Sequence, residues 1–143
     1  MDPERRVATT VARYSDRSET VFRMGLGLVM AGAGIHGMLA PAVWAGYMAP
    51  QIAGILSAVG LSPVQVMQVN AVGEALFGLA LLADMYTTVV AGLTTLALAA
   101  ILVNMILAGV GSFADIIIRD IGLLFLGAGV TLQAARRRGV SNG

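Results

Sequence analysis

The sequence contains no cysteine and a single histidine, and this shortage excludes several kinds of functional site. Without cysteine the chain forms no disulfides, no zinc–thiolate sites and no thiolate nucleophile. One histidine falls short of the common zinc ligand sets, so we predict no metal site, and a bis-histidine haem would need a second chain. The sequence also lacks a Ser-His-Asp arrangement and a phosphate-binding glycine loop, which argues against hydrolase and nucleotide-dependent activities.

Charged residues are scarce as well, at 12% of the 143 residues, while 57% are hydrophobic. Lysine is absent, and eight of the nine arginines lie before residue 24 or after residue 135. The net charge of +1 is too small, and the arginines are too segregated, for a nucleic-acid-binding surface. A mean hydropathy of +0.83 instead predicts an integral membrane protein in contact with lipid.

Four segments are apolar enough to cross a membrane and have lengths close to the roughly 20 residues that a transmembrane helix needs. They are residues 22–40, 66–83, 88–110 and 115–135. We therefore predict an all-α fold, an integral membrane four-helix bundle over residues 21–136. Residues 1–20 are predicted to form a polar cytoplasmic arm, and residues 137–143 a cytoplasmic tail.

The segment between the first two predicted helices is apolar but contains three prolines, at positions 41, 50 and 63. These prolines divide it into pieces too short to cross a bilayer, so we predict a re-entrant or interfacial segment. Trp44 and Tyr47 lie in this segment and are expected to be membrane-interface anchors, because amphipathic rings favour the headgroup level.

The arginine distribution predicts the topology. A fifth span at residues 51–61 would cover only about 17 Å of a roughly 30 Å core, and it would place the termini on opposite sides. Arginines cluster at both ends, so the positive-inside rule favours an even number of spans, with both termini cytoplasmic in the cell membrane. The first twenty residues are polar, unlike a signal peptide, and we expect the N-terminus to be retained.

Many of the eighteen glycines lie inside the predicted spans, where small residues let helix backbones approach closely. In the first span, the spacing of seven places Gly25 with Gly32 on one helix face and Gly27 with Gly34 on another. Either pair is a candidate helix–helix interface.

A few polar residues inside the spans are the candidate binding site, because each is costly in hydrocarbon unless it finds a partner. Counted along the predicted helices, one from each span falls in the outer half of the membrane. These four are His36, Glu74, Asn104 and Arg119, and Asn70 shares a helix face with Glu74. We predict that these five residues line one ligand-binding pocket that opens outward and is roofed by the segment containing Trp44 and Tyr47. No catalytic residue is assigned.

A structural interpretation of the same residues stays open. Glu74 and Arg119 would then form an ion pair that fixes helix register, with His36 and Asn104 as ordinary interhelical hydrogen bonders. Asp115 lies four residues before Arg119, a spacing that predicts a local ion pair between them, whereas Asp120 is expected to point away. His36 is also a candidate proton carrier, because imidazole exchanges protons near physiological pH.

Three stretches carry a family resemblance: FRMGLGLVMAGAGIHGMLAPAVWAGYMAP at 22–50, NAVGEALFGLALLADMYTTVVAG at 70–92 and FADIIIRDIGLLFLGAGVTL at 113–132. In order and spacing they resemble the DoxX family of small membrane proteins. The second stretch is similar to the family's Gly-x-x-Glu-x-x-x-Gly region, with Asn70 or Gly73 near the first glycine position, Glu74 at the acidic position and Gly78 at the later glycine. In the third stretch, Arg119 and Asp120 occupy the family's Arg-Asp pair.

The resemblance implies a four-helix membrane fold and, for some members, a subunit of thiosulfate:quinone oxidoreductase or another membrane redox assembly. His36 departs from the family, since many relatives carry lysine after the glycine-rich stretch; this puts in doubt any role that needs a permanent positive charge there.

Three functions are compatible with these observations. The first is a quinone-linked redox subunit whose pocket binds the quinone headgroup while a partner protein carries the electron donor, since the chain holds no cofactor of its own. The second is a non-catalytic subunit or assembly factor that docks a membrane or peripheral protein. The third is a small solute or proton carrier. Membrane lipid is an expected partner in each, no nucleic acid is expected, and homo-oligomerisation is left open.

Overall fold

The computed structural model describes residues 2–141, and these residues form helices joined by short connections, without strands. Residue 1 of the predicted arm and residues 142 and 143 of the predicted tail lie outside the described residues. The helices are α1 (Pro3–Ala12), α2 (Ser18–Leu39), α3 (Pro41–Ala45), α4 (Pro50–Ala58), α5 (Pro63–Leu82) and α6 (Thr87–Ser141), with a 3-10 turn at Ser15–Arg17. Three helical stretches are long and apolar enough to cross a membrane: Ser18–Leu39, Pro63–Leu82 and Thr87–Gly111.

Proline begins four of the helices: α1, at Pro3, and three later ones. Pro41, Pro50 and Pro63 each occupy the first turn of α3, α4 and α5, where the missing N–H is not needed and the fixed φ suits the helix. In α5 a capping box adds to this signal, because the Ser62 hydroxyl accepts the Gln65 N–H at 3.2 Å. Helices α3 and α4, of five and nine residues, are each too short to cross a bilayer core of roughly 30 Å.

Helices α2 and α5 pack with their backbones in contact. A Cβ atom added to Gly34 would overlap the backbone of Ala75, and one added to Gly78 would overlap the backbone of Ala31. By contrast, Gly25 and Gly32 have no atom within 4 Å of such a Cβ. The glycine face that forms this interface is therefore the one that contains Gly34 and not the one that contains Gly32.

Helix α6 is two helical limbs that fold back on each other. Non-helical dihedral angles occur at Gly109 (φ 119, ψ 111) and at Phe113 (φ −134, ψ 21), and the positive φ suits glycine, which has no Cβ. Gly92 lies opposite Thr131, and Gly127 lies opposite Thr95, so residue numbers rise along one limb as they fall along the other. We call residues 87–108 the first limb and residues 114–141 the second limb; they are antiparallel.

The core joins the long helical segments. It contains Leu26 and Met30 from α2, Leu81 from α5, Ala91 and Leu98 from the first limb and Val130 from the second limb. Leu26, Leu81 and Val130 are fully buried. Because α2, α5 and both limbs contribute to one cluster, all four segments pack around a shared interior.

An arginine ties α2 to the end of α5. The Arg23 side chain is buried, and its guanidinium donates hydrogen bonds to the carbonyl oxygens of Leu81 and Leu82. Arg23 Nε also lies 3.6 Å from a carboxylate oxygen of Asp84. A cation at these carbonyls satisfies acceptors that have no partner within the helix and complements the negative end of the α5 dipole.

Asp84 extends this contact to the end of the second limb. Its carboxylate lies 3.1 Å from Arg137 Nη2 and accepts the Thr87 hydroxyl at 2.6 Å, while Arg137 Nε lies 3.5 Å from Glu19. We call Glu19, Arg23, Asp84, Thr87 and Arg137 the basal cluster. The start of α2, the connection between α5 and α6 and the end of the second limb therefore meet at one end of the molecule; the sequence analysis did not predict the ion pairs that join them.

The basal cluster predicts a pH dependence of stability. The hydrogen bond from Arg137, followed by that from Thr87, lowers the pKa of Asp84 below its ordinary value. A lowered folded-state pKa contributes stability above the unfolded value of about 3.9, and this stability is lost as the pH falls through the folded-state pKa. Asp84→Asn should therefore reduce stability at neutral pH by about 0.5 kcal/mol, a small amount because the side chain is 38% exposed.

Thermal unfolding of the purified chain in detergent, followed from neutral pH to below pH ~4, checks this expectation. The difference between wild type and Asp84→Asn should shrink toward acid. Asp115→Asn is the matched control, because Asp115 is exposed and forms no ion pair in the described part of the chain. A difference in stability between wild type and Asp84→Asn that stays constant across the pH range would contradict a stabilising role for the ionised Asp84 carboxylate.

Candidate functional site

The predicted site residues lie at the end of the molecule opposite the basal cluster, around the short helix α3. Two neighbouring cavities occur there. The Glu74 cavity, of about 100 Å³, is lined by Asn70, Glu74 and Asn104 among others. The Arg119 cavity, of about 200 Å³, is lined by His36 and Arg119 together with apolar side chains. The predicted single pocket is thus divided into two.

Three side chains form the wall between the cavities. Trp44, Tyr47 and Met105 line both of them. The aromatic rings also pack edge to face, with centroids 6.1 Å apart for Trp44 and Tyr47 and 5.5 Å apart for Tyr47 and Phe113. This geometry is favourable for aromatic pairs and links α3 to the break in α6. Rather than roofing one pocket, Trp44 and Tyr47 partition it.

Asn104 holds the wall in position. Its side-chain Nδ2 donates to the carbonyl oxygen of Tyr47, and its Oδ1 accepts the N–H of Ala49, both at 2.9 Å. Ala49 is fully buried, so these bonds satisfy backbone groups in the turn between α3 and α4 that water does not reach. Asn104 lines the Glu74 cavity, but its amide is already engaged by the backbone.

His36 is exposed and lines the Arg119 cavity. Its Nδ1 accepts the indole N–H of Trp44 at 2.8 Å, and the two rings pack edge to face at 5.8 Å. A neutral imidazole that accepts at Nδ1 carries its proton on Nε2. His36 is therefore a hydrogen-bond donor at Nε2, a role that does not need a permanent charge.

Glu74 is buried, with 5% of its surface exposed. Its Oε1 accepts a hydrogen bond from Asn70 Nδ2 at 2.8 Å, as their shared helix face predicts. In the part of the chain that the structure describes, Glu74 forms no direct ion pair with Arg119, although both Arg119 and Asp120 lie within electrostatic range of its carboxyl group. The direct register-fixing ion pair is therefore absent from this geometry.

The predicted ion pair between Asp115 and Arg119 was wrong. Arg119 Nε instead lies 2.9 Å from Oδ1 of the adjacent Asp120. Asp115 lies in the first turn after the break at Phe113 and is exposed. Asp120 is only 3% exposed, and a buried carboxylate without a partner is costly, so the flexible arginine turns toward it.

Asp120 is the site residue that sequence reasoning missed. The i, i+4 rule favoured Asp115, but Asp120 follows the buried Ile117 by three residues and precedes the half-buried Leu124 by four. That spacing places Asp120 on the apolar face of the second limb. Glu74 and Asp120 are thus two buried carboxyl groups near Arg119, and only Asp120 pairs with it directly.

A groove on the molecular surface leads toward the Glu74 cavity. It has a volume of about 370 Å³ and is lined by Leu61, Gln65, Val66, Val69 and Asn70. Val66 and Asn70 line both the groove and the Glu74 cavity, which in turn shares its wall with the Arg119 cavity. Each of the three spaces therefore shares lining residues with the next.

Comparisons with known proteins add no relationship: no protein-family model matches the chain, and neither a curated protein nor a solved structure matches it. The DoxX resemblance of residues 22–50, 70–92 and 113–132 therefore stays a prediction that rests on those motifs. The function of the chain has to be inferred from the cavities and the side chains around them.

Proposed function

We propose that this chain is a DoxX-like integral membrane subunit of a quinone-linked oxidoreductase complex, and that the Arg119 cavity binds the quinone headgroup. In the proposed topology, α2, α5 and the two limbs of α6 cross the cell membrane, and α3 and α4 form the re-entrant or interfacial segment. The basal cluster supports an even number of spans, because Glu19 and Arg137 meet at one end. The arginines near both termini favour the cytoplasm for that end.

The observation that carries the proposal is a ring-sized cavity with hydrogen-bond donors at its edge. A cavity of about 150 Å³ admits a six-membered ring, and the Arg119 cavity has about 200 Å³. Trp44 and Tyr47 offer aromatic surfaces, while His36 Nε2 and the Arg119 guanidinium offer donors for a carbonyl oxygen. A planar, apolar ring that bears carbonyl groups suits this combination.

When bound, a quinone accepts two electrons and two protons and becomes a quinol. The electrons require a redox centre on a partner subunit, since the proposal assigns none to this chain. Arg119 orients the ring by donating to one carbonyl oxygen, and His36 Nε2 donates a hydrogen bond to the other. Glu74, a buried carboxyl group that lines the neighbouring cavity, is the proposed relay that passes both protons in turn from the aqueous side, while Asp120 stays the carboxylate partner of Arg119.

A non-catalytic subunit or assembly factor is the second candidate, and one observation favours it. His36 Nδ1 already accepts a hydrogen bond from Trp44, the Asn104 amide already bonds to the backbone, and Arg119 Nε already donates to Asp120. Side chains engaged in this way stabilise the helix ends without any ligand. In this alternative the two cavities are packing defects, and the chain's role is to dock another membrane protein.

Mass spectrometry of lipids and cofactors retained by the chain, purified gently from its native membrane, separates the two functions. Wild type should retain quinone, and Arg119→Gln should retain roughly tenfold less, because a hydrogen bond to a charged group is worth about 1.5–3 kcal/mol. Arg136→Gln, an exposed arginine near the opposite end, is the matched control and should match wild type. No quinone in any sample, with a co-purifying protein in all, would favour the assembly role.

A further inference from the structure

Helix α1 is a capped helix that packs against no other part of the described chain. Asp2 caps it by accepting the Glu4 N–H at 3.2 Å, Pro3 occupies its first turn, and Glu4 complements the positive end of the helix dipole. Every residue of Pro3–Ala12 is exposed. The sequence therefore encodes a capped helix whose faces are both free of contact with the rest of the described chain.

The two faces of α1 differ in chemistry. Val7 and Val11 are four residues apart and share one face, Tyr14 continues this spacing two residues beyond the end of α1, and the three side chains are 64%, 62% and 62% exposed. Arg5, Arg6 and Arg13 lie on the other side of the helix, at angles that 100° per residue places away from this face. An amphipathic helix with arginine on its polar face and a low overall hydrophobicity is typical of the membrane interface.

The position of α1 in the chain places it beside the membrane. Tyr14 (φ −107, ψ 4) departs from α-helical geometry and is followed by the 3-10 turn Ser15–Arg17, so α1 is separated from α2 by a break. Helix α2 begins at Ser18 and is long and apolar enough to cross a bilayer. Its first turn carries Glu19 of the basal cluster, so α1 emerges at the same end as the basal cluster.

We propose that α1 lies in the plane of the leaflet at the basal end, with Val7, Val11 and Tyr14 in the headgroup–acyl boundary and its arginines on anionic phospholipid headgroups. Charge complementarity favours lipid as the occupant, because anionic lipids attract basic residues next to a membrane span. Two valines and one tyrosine offer far less area than the roughly 800 Å² per partner of a stable protein interface. This proposal needs the chain to be in a membrane but does not depend on quinone binding.

The absence of cysteine makes a direct test simple, since one introduced cysteine gives one labelled site. The full chain with Val11→Cys or Thr9→Cys is spin-labelled and reconstituted in vesicles of phosphatidylcholine with phosphatidylglycerol. Oxygen, which concentrates in lipid, and a water-soluble nickel chelate then report the surroundings of each label. We expect high oxygen and low nickel accessibility at position 11, and the reverse at position 9 on the opposite face.

The charge requirement is tested in the Val11→Cys chain. Replacing Arg5 and Arg6 with glutamine should lower the ratio of lipid-inserted to water-exposed label by roughly 25-fold at low salt, at about fivefold for each arginine. Vesicles of phosphatidylcholine alone should lower the ratio similarly, whereas Arg136→Gln, outside α1, should not. Equal nickel accessibility at positions 9 and 11 would overturn the proposal, and so would a position-11 label shielded from both reagents, which would indicate a protein surface.

Discussion

Gly78→Ala should lower the free energy of unfolding by roughly 3 kcal/mol, the upper end of the usual cost of overpacking. The new methyl group would overlap the backbone nitrogen and Cα of Ala31, and it would lie 2.7 Å from the carbonyl oxygen of Gly27. None of these atoms belongs to a flexible side chain, so α2 and α5 would have to separate. The unfolding midpoint in a titration with denaturing detergent measures the effect.

Gly73→Ala is the control for this prediction, because Gly73 lies on the same helix and has no atom within 4 Å of an added Cβ. Alanine there should be neutral or slightly stabilising, given the better helix propensity of alanine. Gly34→Ala and Gly32→Ala provide the same contrast on α2. Equal effects at Gly73 and Gly78 would mean that helix propensity, and not the close approach of α2 and α5, decides the outcome.

Asn104→Ala should also be strongly destabilising, by about 3 kcal/mol. The substitution removes the partners of the Tyr47 carbonyl and of the buried Ala49 N–H at once, and each unsatisfied buried group costs about 1–3 kcal/mol. The turn between α3 and α4 should loosen, and the single tryptophan, Trp44, should report this as a change in its fluorescence maximum.

Two variants bracket the Asn104 result. Asn104→Asp keeps the acceptor for Ala49 but loses the donor to Tyr47. Its destabilisation should be smaller than that of Asn104→Ala when the carboxyl group is protonated, and larger when the carboxylate stays charged. Gln68→Ala removes an exposed amide from α5 and should have little effect. Unchanged stability and fluorescence in Asn104→Ala would show that water or other groups replace the two hydrogen bonds.

The sequence predicted the features that depend on local chemistry. Proline starts the short helices because its fixed φ and missing N–H act within one turn. The pairing of Asn70 with Glu74 follows from helical spacing and was found at 2.8 Å. Clusters of apolar residues likewise identified the long helices, three of which are apolar and long enough to cross a membrane.

Features that depend on how helices pack could not be read from the sequence. The pairs Gly25/Gly32 and Gly27/Gly34 have the same spacing, and only the contact with α5 distinguishes them. Arg119 has acidic neighbours at positions 115 and 120, and the burial of Asp120 decided between them. An ion pair between residues four apart on a helix is worth only a few tenths of a kcal/mol, so the cost of leaving the buried Asp120 unpaired outweighs it.

Quenching of Trp44 by a short-chain benzoquinone tests the proposed binding site most directly, because the only tryptophan in the sequence lines the Arg119 cavity. The proposal predicts saturable quenching of the purified chain, with a dissociation constant about tenfold higher in Arg119→Gln and unchanged in Arg136→Gln. Quenching that rises linearly with quinone concentration, and equally in all three proteins, would contradict a quinone site between His36 and Arg119.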